Sequence, residues 1–309
     1  MILLLLIPVA LPFAMPVLAR RALDRLAPTA ALWVLTCSTV VLAGSSLVAL
    51  GALVLTGLLE VPLFAALGEL VHPLRTASNV FVVPAAAFSV GALVVCLWTL
   101  VRTVVRQSRA FRAATSAADD RHTAGDLCVI DSPQPDAYAL PGRPHRIVVT
   151  TGMLRSLGPD EREALFAHER AHNVGGHHYF LAVAELAAHC HPGLRAAADA
   201  IRLAVERVAD EAAAAAVGDR RLTARAIGRA ALAVGAADSD RPSFAPAVAT
   251  GPVPQRVAAL LAAPRLPHRA ARWMAALLVA CAALSVCASA TGVIGFHHQV
   301  EVAQGEERD

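Results

Sequence analysis

The sequence predicts a mainly α-helical membrane protein that carries an α+β domain with a small β-sheet between its third and fourth membrane helices. Of its 309 residues, 56% are hydrophobic and 17% are charged, and the mean hydropathy is +0.55. These values lie outside the range of ordinary soluble domains. Four runs without any charge are long enough for membrane helices, while one long charged segment has the composition of a soluble domain.

Four transmembrane helices are predicted, because each uncharged run comes near or exceeds the roughly 20 residues that cross a bilayer core about 30 Å thick. They cover residues 1–18, 29–59, 80–101 and 273–296. A cleaved signal peptide is the alternative for the first run, but its arginines follow the apolar stretch instead of preceding it. A re-entrant pair is the alternative for the second run, although its length is too short for two full crossings.

Arginines set the predicted orientation through the positive-inside rule. They cluster after the first span, after the third span and just before the fourth, whereas the segment between the second and third spans has only Arg75. The N-terminus, the 60–79 loop and the acidic tail 297–309 are therefore expected outside. Residues 103–271 form the predicted cytoplasmic domain.

The charge balance argues against a nucleic-acid-binding protein. All 27 basic residues are arginines, and against 24 acidic residues they leave a net charge of only +3. Aromatic residues, which could stack on bases, make up only 5% of the chain. We therefore expect no direct nucleic acid binding.

The cytoplasmic segment is expected to form a small sheet followed by helices. Short β-branched runs at 127–131 and 146–151, separated by turn-forming residues, predict a hairpin or a three-stranded sheet. The segment Gly158-Pro159-Asp160-Glu161 is typical of a helix start. Helices are then predicted to about residue 174, from about 178 to 189, and from 194 to 217, with breaks at the intervening glycines and proline.

The first of these helices contains the motif HExxH, formed by His168-Glu169-Arg170-Ala171-His172. Two imidazoles four residues apart lie on the same face of a helix, so both can bind one metal ion. Glu169 would lie beside that ion and take a proton from a bound water. The motif therefore predicts a Zn²⁺ site with His168 and His172 as ligands and Glu169 as the catalytic base.

A catalytic zinc site needs a third protein ligand, and two residues compete for that position. His178 completes the string HExxHxxGxxH of the metzincins, but a metzincin also needs a downstream methionine turn. Met274, the only later methionine, lies in the fourth predicted span. Glu206 is therefore the predicted third ligand. Asp210 lies one turn later on the same face and would accept the second ring N–H of a ligand histidine.

These residues resemble the core of the integral-membrane gluzincins, which comprise the HtpX and CAAX-prenyl-protease group and the related BlaR/MecR antirepressor peptidases. The resemblance covers about residues 125–262, and the HExxH motif and the Glu206-x-x-x-Asp210 pair are its most specific parts. It implies a gluzincin metallopeptidase domain of the zincin fold with Zn²⁺ as its cofactor.

Two further segments carry the resemblance. Ala137 and Tyr138 are similar to the edge strand with which these peptidases pair the substrate backbone. The segment Val253-Pro254-Gln255-Arg256-Val257 is similar to a downstream Pro-rich stretch ending in arginine. Arg256 is then either a structural ion-pair residue or a catalytic one.

The arrangement of four spans with the peptidase segment between the third and fourth is most similar to the BlaR/MecR group. The resemblance implies a membrane-embedded zinc endopeptidase whose substrate is a cytosolic winged-helix repressor or its own chain. The first alternative is an HtpX-like quality-control protease, and the second is a non-catalytic metal-binding receptor or scaffold. A protein or peptide substrate and the lipid bilayer are the expected partners.

Three further histidines lie close to the motif in sequence: His177, His189 and His191. Surface and loop histidines are commoner than additional metal ligands, so we expect all three at the surface or in loops. No role is predicted for them.

Overall fold

In the computed structural model, six stretches of the chain are described: residues 2–59, 79–119, 123–142, 144–235, 252–262 and 269–303. Most of the predicted 60–79 loop therefore lies outside the described residues. The same holds for residues 304–309 of the predicted tail.

Within the described residues, four helices are long and apolar enough to cross a membrane, which makes the chain a multi-pass membrane protein. The candidate spans are Leu3–Arg25, Pro28–Leu59, Val82–Ala113 and Arg269–Val302. The prediction of about four membrane helices is thus confirmed. The first span consists of α1 (Ile2–Ala10), a 3-10 turn (Leu11–Ala14) and α2 (Met15–Arg25), and the others are α3 (Pro28–Leu59), α4 (Asn79–Asp119) and α11 (Arg269–Ala303).

Prolines interrupt the first span, and side chains from other elements satisfy the carbonyl groups nearby. Pro12 has no N–H, so it cannot donate to the Pro8 carbonyl one turn earlier. That carbonyl instead accepts a hydrogen bond from the Ser46 hydroxyl of α3 at 2.7 Å. The Val9 carbonyl accepts from His191 Nε2 at 2.9 Å. Such substitutes make a broken helix tolerable in a membrane, where water cannot satisfy the backbone.

The predicted small sheet is present, and in the part of the chain that the structure describes it has four strands in the order β1-β2-β4-β3. They are β1 (Thr123–Ala124), β2 (Leu127–Ile130), β3 (Ala137–Leu140) and β4 (Arg146–Thr150). β2 and β4 are parallel, whereas β3 runs antiparallel to β4 at the edge of the sheet. The sheet exceeds the predicted three strands because the short β1 pairs antiparallel with β2.

Between the sheet and α11, the described residues form six α-helices. They are α5 (Thr151–Ser156), α6 (Pro159–Val174), α7 (His177–Cys190), α8 (Arg195–Val217), α9 (Arg220–Val234) and α10 (Val253–Leu261). The bounds of α6, α7 and α8 lie within one residue of the predicted ones, because a proline and acidic residues start α6 and the glycine and proline breaks end the helices.

The start of α6 is fixed by Glu161. Its carboxylate accepts a hydrogen bond from the Gly158 N–H at 3.0 Å, which satisfies a backbone donor at the helix end. Arg225 and Arg229 of α9 also contact this carboxylate, each at 2.9 Å. The motif-bearing helix is therefore anchored both to its own first turn and to α9.

The helices of the peptidase-like segment pack directly on the membrane helices. The largest hydrophobic cluster joins α2, α3, α7, α8 and α11, and includes Met15, Leu35, Leu181, Ile201 and Leu278. At the turn between α7 and α8, Gly193 approaches Pro12 so closely that a Cβ atom would lie 2.7 Å from the Pro12 carbonyl. We call this contact of residues 191–194 with the first span the membrane seam.

Candidate metal centre

Three buried side chains converge between α6 and α8. His168 and His172 lie one turn apart on α6, and their Nε2 atoms are 3.0 Å from each other. Glu206 of α8 places Oε2 at 3.5 Å from His168 Nε2 and Oε1 at 3.8 Å from His172 Nε2. Among the described residues these three form the group able to hold a metal ion. The sequence prediction named the same three residues.

The separations of the donor atoms fit a zinc ion. In a tetrahedral zinc site with bonds of about 2.0–2.1 Å, ligand atoms are about 3.4 Å apart. The separations of 3.0, 3.5 and 3.8 Å bracket that value. Two imidazole nitrogens and one carboxylate are also the donor set of catalytic zinc sites, in which a fourth position remains for water. The three residues therefore form a Zn²⁺ site.

The third position belongs to Glu206 and not to His178, the metzincin alternative. His178 is half-buried outside the group, with its ring centroid 4.0 Å from that of Tyr179. Glu206 reaches the centre because α8 runs beside α6. Each of the two helices carries buried polar residues, and these meet between them.

Asp210 lies behind His168. Its Oδ1 is 3.1 Å from His168 Nδ1, so it can accept the ring N–H and leave Nε2 directed at the other two ligands. Burial lowers the pKa of His168, but hydrogen bonds with Asp210 and Glu206 outweigh this effect and raise the pKa from 6.5 to about 9. For His172, burial and the neighbouring His168, His177 and Arg256 hold the pKa well below 6.5, which favours the neutral form that binds metal.

Arg256 pairs with the carboxylates of Asp210 and Glu206. From α10 it donates to Asp210 through Nε at 2.9 Å and Nη2 at 2.6 Å, and its Nη1 lies 2.9 Å from Glu206 Oε2. The side chain is fully buried. Burial alone would raise the pKa of Asp210, but hydrogen bonds from Arg256 and His168 hold it below 3.8. Arg256 therefore forms an ion pair with Asp210 and Glu206, which corresponds to the structural one of its two predicted roles.

His177 was expected at the surface, but it is buried against the metal centre. Its Nδ1 lies 2.9 Å from His172 Nδ1, so one ring donates to the other and the orientation of the ligand ring is fixed. The contact arises because Gly176, in the left-handed region at φ 59°, turns the chain from α6 into α7. Burial and the nearby His168 and His178 lower the pKa of His177 to about 4.

The other two histidines also have partners. His191 is buried in the membrane seam, and His189 Nε2 lies 2.9 Å from Thr103 Oγ1 of α4. The expectation of a surface or loop position was wrong for His177, which is buried in α7, whereas His191 does lie in the loop between α7 and α8, although it is buried. Spacing did not reveal the contact of His177 because it depends on the conformation of the turn at Gly176, and it did not reveal that of His191 because Val9 lies 182 positions away.

The predicted substrate-binding strand is β3. Ala137 is buried, Tyr138 is half-buried, and both belong to the strand at the edge of the sheet. The strand is held by Asp136, whose N–H donates to Thr150 Oγ1 at 2.9 Å and whose carboxylate accepts from the Ala137 N–H at 3.0 Å.

The metal centre is closed to solvent. His168, Glu169 and Glu206 have no exposed surface, and His172 is 1% exposed. A polypeptide substrate therefore requires an opening of this arrangement before it can reach the ligands.

Comparison with known proteins agrees with this chemistry. Residues 102–191 match the family model "Peptidase family M48". The matched segment contains His168, Glu169 and His172 and ends before Glu206. Glu206 is identified as the third ligand by the geometry of the site. No solved structure matches the chain.

Proposed function

We propose that this membrane zinc metallopeptidase of peptidase family M48 is an endopeptidase in which Glu169 is the general base. The observation that carries the proposal is the fully buried Glu169 carboxylate, adjacent in sequence to one of three convergent ligands. A purely structural zinc site would have four protein ligands. The described residues supply three, which favours catalysis over a metal-binding scaffold.

Each residue of the site has a distinct role in the proposed reaction. Zinc, when bound, lowers the pKa of a coordinated water toward about 7 and polarises the scissile carbonyl. Glu169 takes the proton of the attacking water on a carboxylate oxygen and passes it to the leaving amine nitrogen. Asp210 holds the His168 ring through its Nδ1 proton, and Arg256 orients Asp210 and Glu206. The edge strand β3, with Ala137 and Tyr138, pairs with the substrate backbone.

We further propose that the peptidase segment 103–271 faces the cytoplasmic side, with both termini outside, while its turn at 191–194 reaches into the membrane and contacts the first span. Two contacts support this orientation. Arg207 donates to the Leu23 carbonyl at 2.9 Å, and Arg106 lies 3.6 Å from Glu185. The domain therefore packs beside the arginine-bearing ends of α2 and α4, which the positive-inside rule assigns to the cytoplasm.

The substrate is then a cytosolic protein. Because the four-span arrangement is most similar to the BlaR/MecR group, we favour a winged-helix repressor or the chain itself as the substrate over damaged membrane proteins. The test uses the full-length protein in nanodiscs. It compares the wild type, the wild type with a zinc chelator, and Glu169→Gln on a candidate repressor.

Loss of the general base should slow cleavage by about 10²–10⁴-fold, while the zinc content stays near one per chain because the three ligands are intact. Cleavage of the repressor at the wild-type rate by Glu169→Gln would remove Glu169 from its role. If a generic unfolded protein is cleaved and the repressor is not, the endopeptidase assignment stands and the signalling role fails.

A further inference from the structure

An exposed groove runs along α4 just beyond its apolar half. It has a volume of about 510 Å³ and is lined by Trp98, Val101, Arg102, Val105, Arg106 and Arg109. We call these residues the α4 arginine face. We propose that it binds the headgroup phosphate of an anionic phospholipid from the cytoplasmic leaflet.

The spacing of the residues places the charges on one side of the helix. Trp98, Arg102, Arg106 and Arg109 follow each other at intervals of four, four and three residues, so they share one face. At 1.5 Å per residue, the three arginines extend over about 10 Å along the helix. This length is comparable to the headgroup region on one side of a bilayer, which is about 5–8 Å deep.

The groove lies at the depth where lipid headgroups are expected. α4 passes without a break from the uncharged run 80–101 into the arginines. Just before the arginines, and overlapping the groove at Trp98, α4 exposes a belt of large apolar side chains: Val94, Val95, Leu97 and Trp98, each more than 60% exposed. An acyl chain can pack on this belt while the phosphate reaches the arginines, whereas a soluble partner would have to enter the hydrocarbon layer to cover it.

The charges of the face are available to an anion. Arg106 is 66% exposed, and Glu185 lies 3.6 Å from it. Within the described part of the chain, Arg102 and Arg109 form no ion pair. Arg225 and Arg229 of α9, by contrast, both form ion pairs with Glu161. Three guanidinium groups and one nearby carboxylate leave an excess positive charge, which complements a phosphate.

The bound lipid would lie beside the catalytic helices. Thr103 and Arg106 of α4 contact His189 and Glu185 of α7. α7 is the helix that begins at His177, the partner of the metal ligand His172. The site is thus one helix away from the metal centre, but its ligand binds independently of catalysis.

The test measures binding of fluorescent phosphatidylglycerol and of phosphatidylcholine with the same acyl chains to the full-length protein in a neutral detergent. The wild type should bind phosphatidylglycerol at least about tenfold more tightly, and the preference should fall as sodium chloride rises from about 50 to 500 mM. Equal affinity for the two lipids would overturn the proposal.

The key variant is Arg106→Gln with Arg109→Gln, which keeps Arg102 next to the span so that the orientation signal remains. The matched control, Arg195→Gln with Arg221→Gln, removes the same charge from two exposed arginines of the peptidase domain. We expect phosphatidylglycerol binding to weaken about tenfold or more in the first variant and less than about twofold in the control.

A third variant, Arg106→Lys with Arg109→Lys, retains the charge and should recover most of the affinity, which separates loss of charge from loss of fold. Equal weakening in the control, or unchanged binding in the first variant, would assign the preference to net charge and refute the site. Displacement of the lipid by a polyglutamate peptide at equal concentration would instead identify an acidic protein segment as the occupant and refute the lipid.

Discussion

The metal centre and the membrane seam are both buried, but different forces hold them together. In the metal centre, five charged or ionisable side chains lie within hydrogen-bonding distance of one another: His168, His172, Glu206, Asp210 and Arg256. In the seam, Gly193 and His191 touch the backbone of the first span, and the surroundings are apolar. The centre therefore depends on charge compensation, whereas the seam depends on the absence of side-chain volume.

The largest effect is expected where a buried charge loses its partner. In Arg256→Met, the carboxylates of Asp210 and Glu206 remain buried without their guanidinium partner, which should cost about 3–5 kcal/mol of the free energy of unfolding. Thermal unfolding of the zinc-free protein in detergent measures the loss. Zinc should reduce it, because the metal then compensates Glu206.

The control is a second bidentate pair with the same geometry at the surface. Arg170 donates to Asp126 at 2.6 and 2.9 Å, but the two side chains are 49% and 37% exposed. Arg170→Met should therefore cost only about 0–1 kcal/mol. Similar losses for Arg170→Met and Arg256→Met would show that burial is not what makes the metal-centre pair costly to break.

The seam should respond to a single methyl group. In Gly193→Ala the new Cβ would lie 2.7 Å from the Pro12 carbonyl, and backbone cannot rotate away as a side chain can. The helices must separate, so we expect a loss of about 1–3 kcal/mol in the free energy of unfolding. Gly44→Ala in α3 has nothing within 4 Å of the added atom and should cost nothing. Equal melting temperatures for the two variants would contradict the close contact.

The contrast also explains which parts the sequence could predict. The HExxH spacing fixes two ligands through helix geometry alone, and the start of α6 follows from Pro159 and Glu161 at its first turn. The prediction of Glu206 required one further assumption, namely that α8 packs beside α6. Each of these inferences rests on residues near one another in the chain or on the fixed requirements of zinc.

The parts that escaped prediction depend on the conformation of a turn and on a contact between distant segments. His177 reaches His172 only because Gly176 adopts a left-handed conformation, and a Gly-Gly pair in a sequence indicates a break without giving its direction. The docking of His191 on Val9 joins residues 182 positions apart. No local sequence pattern indicates that His191, in the turn before α8, donates to the Val9 carbonyl of the first span.

The smallest predicted effect lies outside both regions, at the start of α6. Burial alone would raise the pKa of Glu161, but the Gly158 N–H and the guanidinium groups of Arg229 and Arg225 lower it below the ordinary value of 4.5. The ionised carboxylate therefore stabilises the fold fully above pH 4.5, and this contribution is lost as the pH falls through the lowered pKa.

Glu161→Gln should consequently cost about 1 kcal/mol at pH 7, since its arginine partners are largely exposed and the amide accepts more weakly. The difference in melting temperature between wild type and variant should shrink steadily below pH 4.5, because the wild type loses the same stabilisation there. Glu163→Gln, an exposed position in the same helix, is the matched control and should follow the wild type throughout. A difference that widened in acid would mean that the folded state binds the Glu161 proton more tightly than the unfolded chain does, which is incompatible with the three donors that surround this carboxylate.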